Sequence, residues 1–137
     1  MNEQRISIVQ EGRKRLGNQF IGGIDTSEYA RQTAPDALVS SDTFSHKKSY
    51  LQTLRQCSIG IANLGLEDSI GFKMAEYVCM SKAIVTSPIG QYLLPGHFTE
   101  GSHYLGFDDT AEDCITKCEQ LISDKKLRLE MMHNNHA

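Results

Sequence analysis

Long hydrophobic runs are missing from this sequence: its apolar stretches extend over a handful of residues, whereas a membrane-spanning helix needs roughly 20. The first residues, 1–5, also lack the basic-then-apolar pattern of a signal peptide. An excess of positive charge is absent as well, because the net charge is −3. That balance argues against a nucleic-acid-binding protein that works by neutralising phosphates. We therefore expect a cytoplasmic protein with no transmembrane segment and no nucleic-acid partner.

Closely spaced cysteine pairs are absent too, since none of the four cysteines has C-x-x-C spacing. A chain of 137 residues is long enough to bury a core without disulfides. Cys114 and Cys118 stand one helical turn apart in an apolar stripe. We therefore predict that the cysteines are buried, reduced thiols, as in a reducing cytoplasm.

Short metal and nucleotide motifs are likewise missing. The five histidines have no acidic or thiol partner at metal-ligand spacing, and His133 and His136 are predicted to be solvated. Neither G-x-G-x-x-G nor a P-loop occurs, which argues against a dehydrogenase and a P-loop nucleotidase. The clustered acids and late lysine of a receiver domain are not found either. We expect no metal and no resident cofactor.

Short apolar runs alternate with helical periods along the chain, and the length fits one domain over residues 1–137. This alternation predicts an α/β fold: a mainly parallel sheet with helices packed on its faces. Cys114, Ile115, Cys118, Leu121 and Ile122 mark the apolar face of one helix, capped by Thr110 with Asp113 at the capping-box position. The predicted strands are 19–21, 38–39, 58–62, 83–86 and 104–107. The predicted helices are 2–17, 27–33, 47–57, 70–80, 111–123 and 124–131.

The segment 65–76 leaves one predicted strand, passes two glycines and enters a helix. The carboxyl ends of strands are where open α/β sheets bind ligands. Backbone N–H groups near Ile70, Gly71 and Phe72 would face a ligand anion, and Gly71 lets a ligand approach the backbone closely. By position alone, the loop at 87–90, with Ser87, Pro88 and Gly90, is a further candidate contact.

Two acids flank this helix start. Asp68 precedes the helix and Glu76 lies in its second turn, so that their carboxylates can accept hydrogen bonds from hydroxyls at two ends of a polyol. Lys73 stands three residues before Glu76 and shares its face. An alternative interpretation stays open: Asp68 or Ser69 is simply an N-cap, and Lys73 and Glu76 form a surface ion pair.

The four residues Asp68, Ile70, Gly71 and Glu76 have the spacing D-x-I-G-x-x-x-x-E. This spacing resembles the donor-site motif of GT-B glycosyltransferases of the group 1 type, which is roughly E-x-F-G-x-x-x-x-E, followed by G-K-P-V-V. The order of elements is similar to that family over residues 47–132. The further matching stretches are the helix and strand at 50–61, the turn and strand at 80–86, the strand at 100–107 and the tail at 124–132.

The resemblance implies one half of a GT-B architecture, a Rossmann-like three-layer sandwich that binds a nucleotide-diphosphate sugar. Glu76 would accept hydrogen bonds from the ribose, and Asp68 would act as the catalytic-site acid on the donor sugar. Ser69, Lys73 and the backbone of residues 70–72 would complete the donor site, without a metal. The implied reaction is hexosyl transfer to a glycan or lipid-linked acceptor, as in polysaccharide or lipopolysaccharide synthesis.

The sequence departs from the family pattern in three ways. Asp68 is one methylene shorter than the usual Glu, and Ile70 replaces an aromatic residue. The family's N-terminal acceptor domain and the opening strand of its donor domain are not represented, so Lys73, Lys47 or Lys48 would have to hold the diphosphate. We expect a donor domain that is inactive alone and needs an acceptor-binding domain or subunit. The alternative is a degenerate, non-catalytic domain that acts as a subunit or interaction module.

Overall fold

The computed structural model describes residues 2–23, 31–32, 35–38, 47–63, 72–89, 98–108 and 110–136, and it forms two units, Met1–Gln56 and Cys57–Ala137. In the first unit the elements are α1 (Asn2–Leu16), two 3₁₀ turns (Gly17–Gln19 and Pro35–Ala37) and α2 (Lys47–Gln56). In the second they are β1 (Ile59–Ala62), α3 (Phe72–Cys79), β2 (Ala83–Thr86), β3 (Leu105–Gly106), α4 (Ala111–Ser123) and α5 (Lys125–Asn134). A single domain over residues 1–137 stays a prediction.

Helix α1 ends as the sequence predicts, because Gly17 takes a φ of +55° that only glycine adopts readily. The predicted strand at 19–21 is wrong. Phe20 lays its ring over Gly12 of α1, so closely that a Cβ at position 12 would lie 2.4 Å from a ring carbon. Ile21 is 48% exposed. The aromatic side chain is partly buried, by packing on the helix rather than by strand pairing.

Arg13 ties the segment after α1 to the second 3₁₀ turn. Its guanidinium donates to the carbonyl oxygens of Gly22 at 2.9 Å and Leu38 at 2.6 Å, and also to that of Asp36. Gln10 donates from Nε2 to the Asp36 carboxylate at 3.0 Å. Side-chain hydrogen bonds therefore satisfy main-chain groups in a segment with little regular structure.

Helix α2 confirms the helix predicted over 47–57. Most of the predicted helix at 27–33 lies outside the described residues, although residues 31–32 are helical. The second residue of the predicted strand at 38–39 also lies outside them.

The second unit contains a three-stranded parallel sheet in the order β1-β2-β3. It confirms the predicted α/β class, the parallel pairing and the three strands at 58–62, 83–86 and 104–107. The middle strand is fully buried, and Ile84 and Val85 have no exposed surface. Burial of each such side chain stabilises the fold by roughly 1.5–3 kcal/mol.

Helices α4 and α5 both pack on β2. On α4 the buried residues are Ala111, Cys114, Ile115, Cys118 and Leu121, which confirms the predicted face except that Ile122 is only half-buried. Arg128 of α5 caps α4 by donating from Nη1 to the Leu121 and Ile122 carbonyl oxygens at 3.1 and 3.0 Å. Among the described helices, none is long and apolar enough to cross a membrane.

The cysteines are free thiols, as predicted, but their burial differs. Cys114 and Cys118 are buried, and a hydrogen bond from the Cys114 thiol to Cys118, followed by burial, raises the pKa of Cys114. Cys57 is half-buried, and Cys79 is exposed, so the prediction of a buried thiol is wrong there.

Candidate functional site

The carboxyl ends of the three strands form one row across the sheet. Ala62 pairs with Thr86, and Thr86 pairs with Gly106. The residues that directly follow β2 and β3 extend the strand pairing by one more hydrogen bond each. Ser87 N–H donates to the Ala62 carbonyl at 3.2 Å, and Phe107 N–H donates to the Thr86 carbonyl at 3.0 Å. Loops that leave all three strands therefore start side by side, as in the ligand-binding crevice of open α/β sheets.

Helix α3 begins at this edge, because it follows β1 and carries the chain back to the start of the parallel strand β2. Lys73 lies in its first turn and is exposed, and Glu76 lies one turn further and is half-buried. Both residues have an interaction partner within the protein. The structure thus places the predicted ribose-binding acid and the predicted lysine on the helix that follows β1, and their roles toward a ligand stay predictions.

The sequence pattern predicts an apolar face on α3 made of Phe72, Ala75, Val78 and Cys79, and this prediction is wrong for Ala75 and Cys79. Ala75 and Cys79 are exposed, whereas Met74 and Tyr77 are buried. The apolar pattern of the helix pointed to the wrong face, because the face that is buried is set by Tyr77 and its contact with β1.

Tyr77 fixes the rotation of α3 on the sheet. Its ring covers Gly60 of β1, where a Cβ would lie 2.7 Å from three ring carbons. Its hydroxyl donates to the Ile61 carbonyl at 3.0 Å. Lys73 is four residues earlier, on the same side of the helix and one turn nearer the carboxyl edge. A buried contact therefore sets the direction in which the first turn presents its side chains.

The loop that carries most of the predicted site lies outside the described residues. Asp68, Ser69, Ile70 and Gly71 all fall in that gap. Phe72 is described only as the first residue of α3. Their roles as catalytic acid, sugar contact and backbone donors stay predictions.

A second helix, α4, also starts near this edge, and it confirms the predicted Thr110 cap. Asp113 N–H donates to Thr110 Oγ1 at 3.2 Å. The reciprocal bond of a capping box is not made: the Asp113 carboxylate accepts from Asp108 N–H at 2.8 Å instead. The N–H and hydroxyl of Thr110 both donate to Asp108 Oδ1, at 2.8 and 2.6 Å.

These bonds hold the carboxylates of Asp108 and Asp113 at the start of α4, where they place negative charge. Hydrogen bonds from the Thr110 hydroxyl and then its N–H hold the pKa of Asp108 below its ordinary value. A diphosphate would be repelled by the carboxylates of Asp108 and Asp113 there. Of the two helices that begin at the carboxyl edge, α3 is therefore the better candidate to face an anion.

Of the other candidate contacts, Ser87 is buried at the end of β2 and Pro88 is exposed. Gly90 lies outside the described residues. Lys47 and Lys48 begin α2, which belongs to the other unit, so their proposed role toward a diphosphate stays a prediction.

A polar cluster that the sequence did not reveal lies at the opposite, amino edge of the sheet. Lys82, just before β2, is 5% exposed, and its ammonium donates to the Cys57 carbonyl oxygen. Burial lowers the pKa of Lys82, and the nearby Cys57 thiol partly offsets this. Burial raises the pKa of Cys57, with the charge of Lys82 acting in the other direction. The cluster is held by residues far apart in sequence, which no local pattern signals.

The histidines at the end of α5 differ from one another. His133 is exposed, as predicted, whereas Nδ1 of the exposed His136 lies 3.0 Å from Ser81 Oγ. Within the described ranges, no group of three or more His, Cys, Asp or Glu side chains is placed to hold a metal ion.

Comparison with known proteins gives no family for the chain. No family model matches it, no curated protein matches it, and no solved structure matches it.

Proposed function

We propose that residues 57–137 bind a nucleotide-diphosphate sugar and form the donor half of a glycosyltransferase of the GT-B type. The observation that supports the proposal is the position of Glu76: the second acid of the motif-like series lies on α3, the helix that follows β1 and starts toward the carboxyl edge of the sheet. A ligand bound at that edge would meet α3 by its first turn.

In this proposal each residue contacts a different part of the donor. Glu76 accepts hydrogen bonds from the two ribose hydroxyls, and Lys73 offers positive charge to the diphosphate. The N–H groups at the start of α3, from Ile70 to Phe72, face the anion. Asp68 contacts the hydroxyls of the transferred sugar. Stabilisation of the leaving diphosphate by these groups would replace a metal ion.

The remaining parts of the proposal follow from the resemblance. The three-stranded sheet would belong to a larger Rossmann-like sandwich, one half of a GT-B architecture. Hexosyl transfer to a glycan or lipid-linked acceptor in the cytoplasm would then require an acceptor-binding domain or subunit, and the chain alone would bind donor with little turnover.

Thermal unfolding with UDP, GDP, ADP and their sugars tests donor binding. A ligand at about 100 times its Kd adds roughly 2.7 kcal/mol to the unfolding free energy. Each kcal/mol shifts the midpoint of a chain of this size by about 2–8 °C, so the midpoint should rise by roughly 5–20 °C with one nucleotide class. Glu76→Gln should remove that rise, because the amide is a poorer acceptor for paired hydroxyls.

Glu130→Gln, at an exposed position of α5, is the matched control, since it makes the same change in charge on another helix. It should keep the full response. No stabilisation by any nucleotide at millimolar concentration, or equal stabilisation of wild type and Glu76→Gln, contradicts the proposed donor site.

A non-catalytic subunit is the second candidate. It is favoured by the shorter Asp68 and the aliphatic Ile70 at motif positions where the family carries Glu and an aromatic residue. This candidate predicts no nucleotide response in the experiment above, so the same measurement separates the two.

A further inference from the structure

The side chain of Asn135 joins the amino ends of two strands. It is 3% exposed, directly after α5. Its Nδ2 donates to the Lys82 carbonyl oxygen at 2.8 Å and to that of His103 at 2.9 Å. Lys82 immediately precedes β2 and His103 lies two residues before β3, so the amide bridges the strands before their own pairing begins.

These two bonds fix the orientation of the amide. A main-chain carbonyl only accepts hydrogen bonds, so the nitrogen of Asn135, and not its oxygen, must face Lys82 and His103. The buried oxygen Oδ1 then points away from both and has no hydrogen-bond partner in the described protein. An acceptor left in this state costs roughly 1–3 kcal/mol.

The protein donors that flank this position have other partners. Ile84 N–H donates to Met131 Sδ at 3.5 Å. Lys82 N–H donates to the Tyr77 carbonyl at 2.9 Å, and its ammonium to the Cys57 carbonyl. Among the residues that the structure describes, no donor is therefore assigned to Asn135 Oδ1.

We propose that Asn135 Oδ1 belongs to an internal hydration site that holds one water molecule, which donates a hydrogen bond to this oxygen. A larger ligand does not fit the observation, because Asn135 is almost fully enclosed. Buried waters in proteins typically make about three hydrogen bonds to polar groups that have no other partner. The water completes the polar link by which the end of α5 holds the starts of β2 and β3.

Water–protein cross-relaxation measured by NMR on the full-length chain tests this site. The Nδ2 protons of Asn135 should show dipolar cross-peaks to water with the sign of a long-lived bound molecule. Rotating-frame spectra separate these peaks from chemical exchange, which has the opposite sign.

Asn134 is the matched control, because its Nδ2 donates to the Ser102 carbonyl at 2.8 Å from an exposed position. It should show only the signature of fast-exchanging surface water. A crystal structure of the same chain should place a water within about 2.7–3.2 Å of Asn135 Oδ1. Assigned Asn135 signals without a long-lived water peak, or a well-ordered Oδ1 with a protein donor or no neighbour, would overturn the proposal.

Discussion

Replacement of Gly60 by alanine should destabilise the second unit through a clash with Tyr77. A Cβ at position 60 would lie 2.7 Å from three carbons of the Tyr77 ring, well inside van der Waals contact. The ring has little room to retreat, because Tyr77 is 6% exposed and its hydroxyl is bonded to the Ile61 carbonyl. The overlap must be relieved by movement of α3 or β1.

Two effects of opposite sign set the size of this change. Overpacking of a filled core costs about 1–3 kcal/mol. Alanine also restricts the unfolded chain more than glycine does, which raises the unfolding free energy by about 0.4–1 kcal/mol. We therefore expect Gly60→Ala to lower the unfolding free energy by about 1–2 kcal/mol.

A double-mutant cycle in urea denaturation identifies the cause. Tyr77→Phe keeps the ring, so the cost of Gly60→Ala should persist in that background. Tyr77→Leu removes the ring, so the cost should vanish, giving a coupling energy within about 0.5–3 kcal/mol.

Gly106→Ala is a control with a softer contact, since its Cβ would meet the Glu100 carboxylate oxygen at 2.8 Å, at the end of an exposed, flexible side chain. It should cost less than Gly60→Ala. Equal destabilisation by Gly60→Ala in the Tyr77, Phe and Leu backgrounds would refute the proposed clash.

Two further predictions concern the start of α4. Thr110→Ala removes the side-chain acceptor for Asp113 N–H and should lower the unfolding free energy by about 0.5–2 kcal/mol in urea denaturation. The control is Thr116→Ala, at an exposed position in the middle of the same helix, which should lower the unfolding free energy clearly less. Equal losses in the two variants would contradict the cap. Because the folded-state pKa of Asp108 lies below its ordinary value of 3.8, its stabilisation is present above that pH and is lost as the pH falls through the lower folded-state value. The difference in urea midpoint between wild type and Asp108→Asn should therefore be larger at neutral pH than near about pH 2, and a pH-independent difference would show that the carboxylate charge is not responsible.

Local signals in the sequence were sufficient for much of the fold. The Gly17 stop, the Thr110 cap and the apolar runs of β1 and β2 each act within a few residues, and the structure confirms them. The strand predicted at 19–21 failed because Phe20 packs on Gly12 and is partly buried there, a contact that no periodicity within the short run indicates.

In the candidate site, too, the features set by local sequence could be predicted and those set by contacts between distant residues could not. The position of Glu76 on the helix after β1 follows from alternation of strand and helix, so it could be predicted. The buried face of α3 could not, because it depends on Gly60, which leaves space for the Tyr77 ring across the unit. The links of Lys82 to Cys57 and to Asn135 join residues 25 and 53 positions apart, beyond the reach of pattern analysis.

The dependence of β2 on the end of α5 sets an order of events during synthesis. Ile84 bonds to Met131, which is 47 residues later, and Lys82 bonds to Asn135, 53 residues later. At translation rates of about 5–20 residues per second, the ribosome needs roughly 2–10 s to make the intervening segment. For that interval the fully buried strand β2 lacks α5, one of the two helices that pack on it, so a chaperone could bind this strand before α5 is made.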